Sequence, residues 1–357
     1  MSDIYQQIAN LSPEKRTLLE LLLQEEGIDI AQSLIVPQKR DSQYFPQSFA
    51  QQRLWFLDQL EPGSPVYNIP GAVRLNGSLN VAAFQQTLNE IIRRHEVLRT
   101  TFTTMNGQPV QVLAPHLGLP LPLVDLQSIP AAAREAEAMR LMAEEARQPF
   151  DLSRGPLLRA ILFRLDEAEH ILLLLLHHIV ADGWSLGVLF REVAALYAAF
   201  IRNVPAPLPE LPIQYADFAL WQHQWLQGKR REDQLAYWKQ QLAESAPTLA
   251  LPTDRPRPAV QTSHGAFQEF KLPPHLSRAL QALSRQHDAT LFMTLLAAFQ
   301  ALLYRYTGQE DISVGSAIAN RNRLETEGLI GFFVNTLVLR SHLAADLSFC
   351  NLLSQVR

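Results

Sequence analysis

Two adjacent histidines, His177 and His178, end the apolar run Ile171 to Leu176, and Asp182-Gly183 follows them closely. Imidazole titrates near ~6.5, so it can take and return a proton near neutral pH. A loop at the end of a rigid strand is where such a group can be presented to a substrate. Two satisfied core histidines would be the plainest account, but a tandem pair beside an aspartate disfavours it. A metal site fits less well. Neighbouring residues on a strand point to opposite faces, and the chain has neither an His-Glu-x-x-His helix nor a pair of cysteines. Gly183-Trp184-Ser185-Leu186-Gly187 matches the Gly-x-Ser-x-Gly elbow of serine hydrolases. Downstream histidines that could complete a triad exist at 223, 264, 275, 287 and 342. The elbow should follow its strand directly, however, and no His-Gly-Gly-Gly-type loop lies upstream, so Ser185 reads more simply as a cap for the next helix.

The elements that must hold these residues can be read from periodicity. Val81 to Arg94, Ala131 to Gln148 and Leu186 to Arg202 repeat their apolar residues at helical spacing, whereas Gly71 to Leu75, Gln108 to Leu113, Leu157 to Leu165 and Ile171 to Leu176 read as strands. The fold class expected is therefore α/β (α+β). Pro205, Pro207, Pro209 and Pro212 preclude a helix or a central strand, which puts a lobe boundary there, and a second proline-rich connector runs from Pro247 to Pro258. Beyond it Leu276 to Gln286 and Leu291 to Tyr306 look helical, and Asp311 to Ile318 and Phe333 to Arg340 look extended. The expected division is a helical linker or docking segment over 1–40, a first lobe over 41–205 and a second over 206–357. The leader helix rests on Ser12 as cap, Pro13 at the first helical position and a stripe of Leu18, Leu19, Leu22 and Leu23.

Composition narrows the classes. In 357 residues, 47% hydrophobic content suffices for a core, and 18% charge argues against disorder. A net charge of −4 with scattered Lys and Arg leaves no footprint for nucleic acid. The single Cys350 allows no internal disulfide, and no apolar run approaches the ~20 residues of a membrane span, so a cytoplasmic protein without membrane contact is expected.

His-His-x-x-x-Asp-Gly at 177–183 is the signature of chloramphenicol-acetyltransferase-like acyltransferases, and four further stretches resemble motifs of nonribosomal peptide synthetase condensation domains. These are Ser48-Phe49-Ala50-Gln51-Gln52-Arg53-Leu54-Trp55-Phe56-Leu57, Arg94-His95-Glu96-Val97-Leu98-Arg99-Thr100-Thr101-Phe102, Tyr215-Ala216-Asp217-Phe218-Ala219-Leu220-Trp221 and Ile330-Gly331-Phe332-Phe333-Val334-Asn335-Thr336. The wording is nearest the subtype that joins two L-configured units. The resemblance implies two acetyltransferase-like lobes forming a V-shaped pseudo-dimer. Two later motifs of the family are not found before Arg357, so the second lobe is expected to be incomplete and the chain by itself inactive.

The same resemblance implies amide-bond formation between a donor thioester and an acceptor α-amine. Both would be carried on phosphopantetheine arms of upstream and downstream carrier proteins, next to an adenylation domain, and the domain would be a monomer. It implies no bound cofactor and no metal. His178 would serve the amine, backbone N–H groups near Gly183 the oxyanion, and His177 the packing of the loop. Asp182 would pair with Arg94 or Arg99, while Trp184, Ser185 and Asn335 are candidates for tunnel or substrate contacts. Related epimerisation domains, coenzyme-A acyltransferases, a serine hydrolase at Ser185 and a non-catalytic carrier-docking platform are the alternatives.

Overall fold

The computed structural model describes residues 35–245, 248–259, 262 and 265–357, so the expected leader helix lies outside the described residues. The chain divides into two compact units, 1–232 with 319–334 and 233–318 with 335–357.

The first unit is built on a four-stranded sheet in the order β2-β7-β6-β5. Its strands are β2 (Asn68–Asn76), β5 (Leu123–Asp125), β6 (Leu158–Asp166) and β7 (Glu169–His177). β7 lies between β2 and β6 and is antiparallel to both, with Asn68 opposite His177. Every residue from His170 to His177 is buried, which is why this strand is an unbroken leucine run rather than an alternating one. Pro70 sits in β2, at the sheet's edge, where a missing N–H is tolerated.

Around the sheet lie α1 (Phe49–Leu60), α2 (Val81–Arg94), α3 (Ala131–Ala146), α4 (Gly183–Phe200) and α5 (Tyr215–Trp225). Leu88, Ile91 and Ile92 of α2 and Val188, Leu189 and Leu196 of α4 join the leucines of β7 in one core. α1 begins in a full capping box, with the Ser48 side chain accepting from Gln51 N–H and the Gln51 side chain accepting from Ser48 N–H. A three-stranded sheet, β1 (Tyr44–Pro46), β4 (Gln108–Leu113) and β3 (Thr100–Met105), completes the unit. The short strands β1, β3 and β5 and the helices α1 and α5 are not among the elements read from periodicity.

The second unit holds α7 (Pro274–Gln286), α8 (Leu291–Thr307), the antiparallel pair β8 (Asp311–Ile318) and β9 (Asn335–His342), and α10 (Phe349–Val356). Helix α6 (Gly228–Gln241) carries the chain from one unit to the other. Ala297, Leu303, Ile312, Leu343, Leu352 and Leu353 form the second unit's own core. Asp311 and Arg340 make a two-point ion pair across its strands, at 2.7 and 2.9 Å.

The lobe boundary expected near residue 205 is displaced. Ile213, Tyr215 and Phe218 are in the first unit's core, and that unit continues to Glu232 and takes back Ala319–Val334, which includes the short helix α9 (Leu324–Glu327). Prolines mark a change of local conformation, whereas apolar burial decides which core a segment joins. Among the described residues no single helix is long and apolar enough to cross a membrane.

Candidate active site

β7 ends at His177, and a single 3-10 turn, His178–Val180, carries the chain to Asp182 at the N-cap of α4. His177 Nδ1 accepts from the Ile179 N–H at 3.1 Å. Its ring is flanked edge-on by Tyr67 and Phe150, at 6.2 and 6.1 Å between centroids. Burial, with some help from His178, brings the His177 pKa down to about 4. The ring is therefore neutral packing that holds the turn and is ill suited to proton transfer at neutral pH.

This shift has a pH consequence. A histidine that titrates near 6.5 unfolded and about 4 folded leaves stability intact above pH 6.5 and removes it as pH falls toward 4. The loss should reach about 3 kcal/mol by pH 4. His177→Asn keeps an acceptor for Ile179 N–H but cannot titrate. Urea unfolding of this variant at pH 7 and pH 4.5 should show a smaller stability difference than the native chain; an unchanged difference would refute the assignment.

His178 has the opposite environment. It is only partly buried, and its backbone N–H donates to Tyr67 O at 2.8 Å. Nδ1 lies 2.8 Å from Ala181 O. A carbonyl can only accept, so Nδ1 carries a proton, and Nε2 has no partner among the described residues. The Phe332 ring stands edge-to-face against this imidazole at 4.9 Å.

Asp182 is fully buried, and its partner corrects the sequence expectation. Oδ1 accepts from Arg321 Nη2 at 3.1 Å, from Ser185 N–H at 2.9 Å and from Ser185 Oγ at 2.7 Å; Oδ2 accepts from Phe333 N–H at 3.0 Å. Neither Arg94 nor Arg99 pairs with it. Arg94 meets Glu192 at 3.2 Å through both Nε and Nη2, and Arg99 donates to Ala114 O and lies 3.6 Å from Glu96.

Arg321 also donates to the carbonyls of Thr326 and Leu329, and its guanidinium stacks 4.0 Å over the Phe333 ring. Burial lowers its pKa, with Asp182 pulling the other way. Glu192 is a second buried acid that periodicity could not single out. Burial pushes its pKa up, but hydrogen bonds and charges from His95 and Arg94 prevail and hold it low. His95 thus donates from Nε2 to Glu192 at 3.0 Å and accepts the Ile330 N–H on Nδ1 at 3.2 Å.

Ser185 is 1% exposed. Its hydroxyl donates to Asp182 and is surrounded by Gly331 O at 2.9 Å, Arg321 Nη2 at 3.0 Å and Gly331 N–H at 3.1 Å. Buried in this way it offers no surface to a substrate, and among the described residues no histidine hydrogen-bonds to it, which argues against the hydrolase reading. Trp184 stays exposed, and its indole N–H donates to Glu327 O at 2.9 Å. Gly183 opens α4, where a first-turn N–H has no intrahelical acceptor, and a Cβ built on it would meet nothing. Asn335 belongs to the second unit, where it starts β9 and accepts from Thr336 N–H at 2.9 Å. Among the described residues no group of three His, Cys, Asp or Glu side chains is gathered for a metal.

A strand-end histidine with its Nδ1 bonded to a carbonyl thus stands on a turn locked by a buried aspartate–arginine pair, in a mixed α/β fold. The Condensation domain family matches residues 41–357. One of the linear gramicidin synthase chains of Brevibacillus parabrevis is 54% identical over 96% of this chain and 7% of its own length. Phosphinothricin tripeptide synthetase PhsC of Streptomyces viridochromogenes is 46% identical over 100% of this chain and 33% of its own. The chain thus spans a small part of these synthetases. The crystal structure of the X-domain from teicoplanin biosynthesis has a TM-score of 0.82 at 30% identity, over 90% of this chain and 71% of that one. The first condensation domain of the CDA synthetase, at 24% identity over 88% of this chain and 75% of that one, shares the fold with a TM-score of 0.72. The chain belongs to the Condensation domain family, the amide-forming acyltransferases of nonribosomal peptide synthetases.

Proposed function

We propose that this domain joins a donor acyl or peptidyl thioester to the α-amine of an acceptor aminoacyl group, each on the phosphopantetheine arm of a carrier protein, and that both units joined are L-configured. The observation that carries the mechanism is the hydrogen bond from His178 Nδ1 to Ala181 O. It leaves the Nε2 lone pair to take a proton.

An α-amine titrates near ~8, so at neutral pH much of it is protonated and cannot attack. The thioester is already activated, and what remains is alignment and one proton transfer. The amine nitrogen bonds to the thioester carbon while His178 Nε2 accepts the proton it sheds. The carbon–sulfur bond then breaks, and the imidazolium returns the proton to the departing thiolate. The first-turn N–H of Gly183, on the positive end of α4 and without an intrahelical acceptor, suits the oxyanion that forms in between. Nothing in this sequence of steps calls for a metal, a nucleotide or a covalent enzyme intermediate, so no bound cofactor is part of the proposal. A cytoplasmic setting is part of it, supported by the single cysteine.

The test loads two carrier proteins with aminoacyl groups and measures carrier-bound dipeptide, using the domain in the polypeptide in which it is encoded. His178→Ala is expected to lower the rate by ~10²–10⁴-fold without a change in melting. Dipeptide formed at the native rate by this variant would overturn the assignment.

A further inference from the structure

We propose that Phe332 is a positioning residue for His178, setting the plane of its imidazole and so the direction of the Nε2 lone pair. The inference rests on the reading of His178 as the group that takes the amine's proton.

The hydrogen bond from Nδ1 to Ala181 O fixes the tautomer and one point of the ring. It does not fix the tilt of the ring about that bond. Among the described residues the aromatic contact recorded for this imidazole is Phe332, at 4.9 Å and an interplanar angle of 67°. Rings that meet edge-to-face have a preferred mutual orientation, so a fixed Phe332 fixes the tilt.

Phe332 is itself held more tightly than a core phenylalanine needs to be. It is 4% exposed, and the backbone around it is taken up by side chains from separate parts of the first unit. Ile330 N–H donates to His95 Nδ1 at 3.2 Å, and Gly331 N–H donates to Ser185 Oγ at 3.1 Å. Tyr215 O–H donates to Phe332 O, and Phe333 N–H donates to Asp182 Oδ2 at 3.0 Å. Asp182 and Ser185 stand at the start of α4, directly after the turn that carries His178. The two rings that meet are thus anchored through the same buried cluster. The guanidinium of Arg53 lies 6.0 Å from the Phe332 ring as a further neighbour.

A misdirected lone pair costs rate rather than binding, since displacements of ~1 Å can cost up to ~10²-fold. Phe332→Met and Phe332→Leu keep an apolar side chain but lose the ring, and Phe332→Tyr keeps it. We expect kcat to fall about tenfold in the Met and Leu variants with KM within about twofold, and to stay within about threefold of native in the Tyr variant. The imidazole resonances of His178 should show one Nδ1–H tautomer in the native protein and the Tyr variant, and broadened signals from several ring orientations in the Met variant. This spectrum decides the question even where rates cannot be compared. Native kcat and native resonances in the Met variant, or an equal loss in the Tyr variant, would overturn the role of Phe332 while leaving that of His178 intact. Activity retained by His178→Ala would instead bring down the reading on which it rests.

Discussion

Arg321→Ala is expected to lower the stability of the first unit by ~3–5 kcal/mol and to remove condensation activity with it. The guanidinium and the carboxylate of Asp182 are both almost wholly excluded from water, at 1% and 0% side-chain exposure. Removing the cation leaves Asp182 charged in a place where water cannot replace it. It also strips a donor from Ser185 and from the carbonyls of Thr326 and Leu329. Asp182→Ala should be at least as damaging, because that side chain additionally caps α4 and receives Phe333 N–H. Double-mutant cycles measured by urea unfolding separate the pairings. Asp182→Asn with Arg321→Met should show coupling of ~1–3 kcal/mol, whereas Asp182→Asn with Arg94→Met should be additive within ~0.5 kcal/mol. Additivity in the first cycle, or strong coupling in the second, would return Asp182 to the partner expected from sequence.

Gly331→Ala should be nearly as costly, although it adds one carbon. A Cβ at this position would lie 2.1 Å from Tyr215 Cδ2, 2.6 Å from Tyr215 Cε2 and 2.9 Å from Phe333 Cε2. The tyrosine cannot retreat. It is 2% exposed, packs on Phe218 and Phe333, and shares hydrogen bonds with Ser48 Oγ at 2.8 Å and with Phe332 O. The relief available is to lift residues 330–333 off their anchors, which breaks the bonds to His95, Ser185 and Asp182 together. Overpacking of a closed site costs typically 1–3 kcal/mol, and ~3 kcal/mol is expected here. Melting should fall by several degrees or more, and the His178 resonances should change as Phe332 moves. An alanine variant that melts and turns over as the native protein does would show that the segment has slack.

Much of this molecule could be read from its sequence. The leucine run of β7 is fully apolar because both faces of that strand are covered, and its end at two histidines marks where a polar group can be offered. The amphipathic spacing of α2, α7 and α8 and the alternation in β4 and β8 placed their boundaries within a few residues. Short strands such as β1 and β5 escaped because three residues carry too little periodicity, and α1 and α5 because motif residues interrupt their apolar stripe.

The class of chemistry came from the family resemblance that these residue types and spacings carry, not from the histidine pair alone. His177-His178 with Asp182-Gly183, in order with four companion motifs, carries the resemblance to condensation domains, and the structure sets that pattern out as a strand end, a turn and a capped helix. Which groups serve the histidine is a matter of long-range packing. Arg94, Arg99 and Arg321 are chemically equivalent candidates for Asp182, and the choice falls to Arg321 because residues 319–334 join the first unit's core while Glu192 claims Arg94. The same docking buries Ser185 beyond use as a nucleophile and lays Phe332 against His178. Contacts between segments so distant in the chain depend on which surfaces are buried together, and local residue patterns carry no record of that.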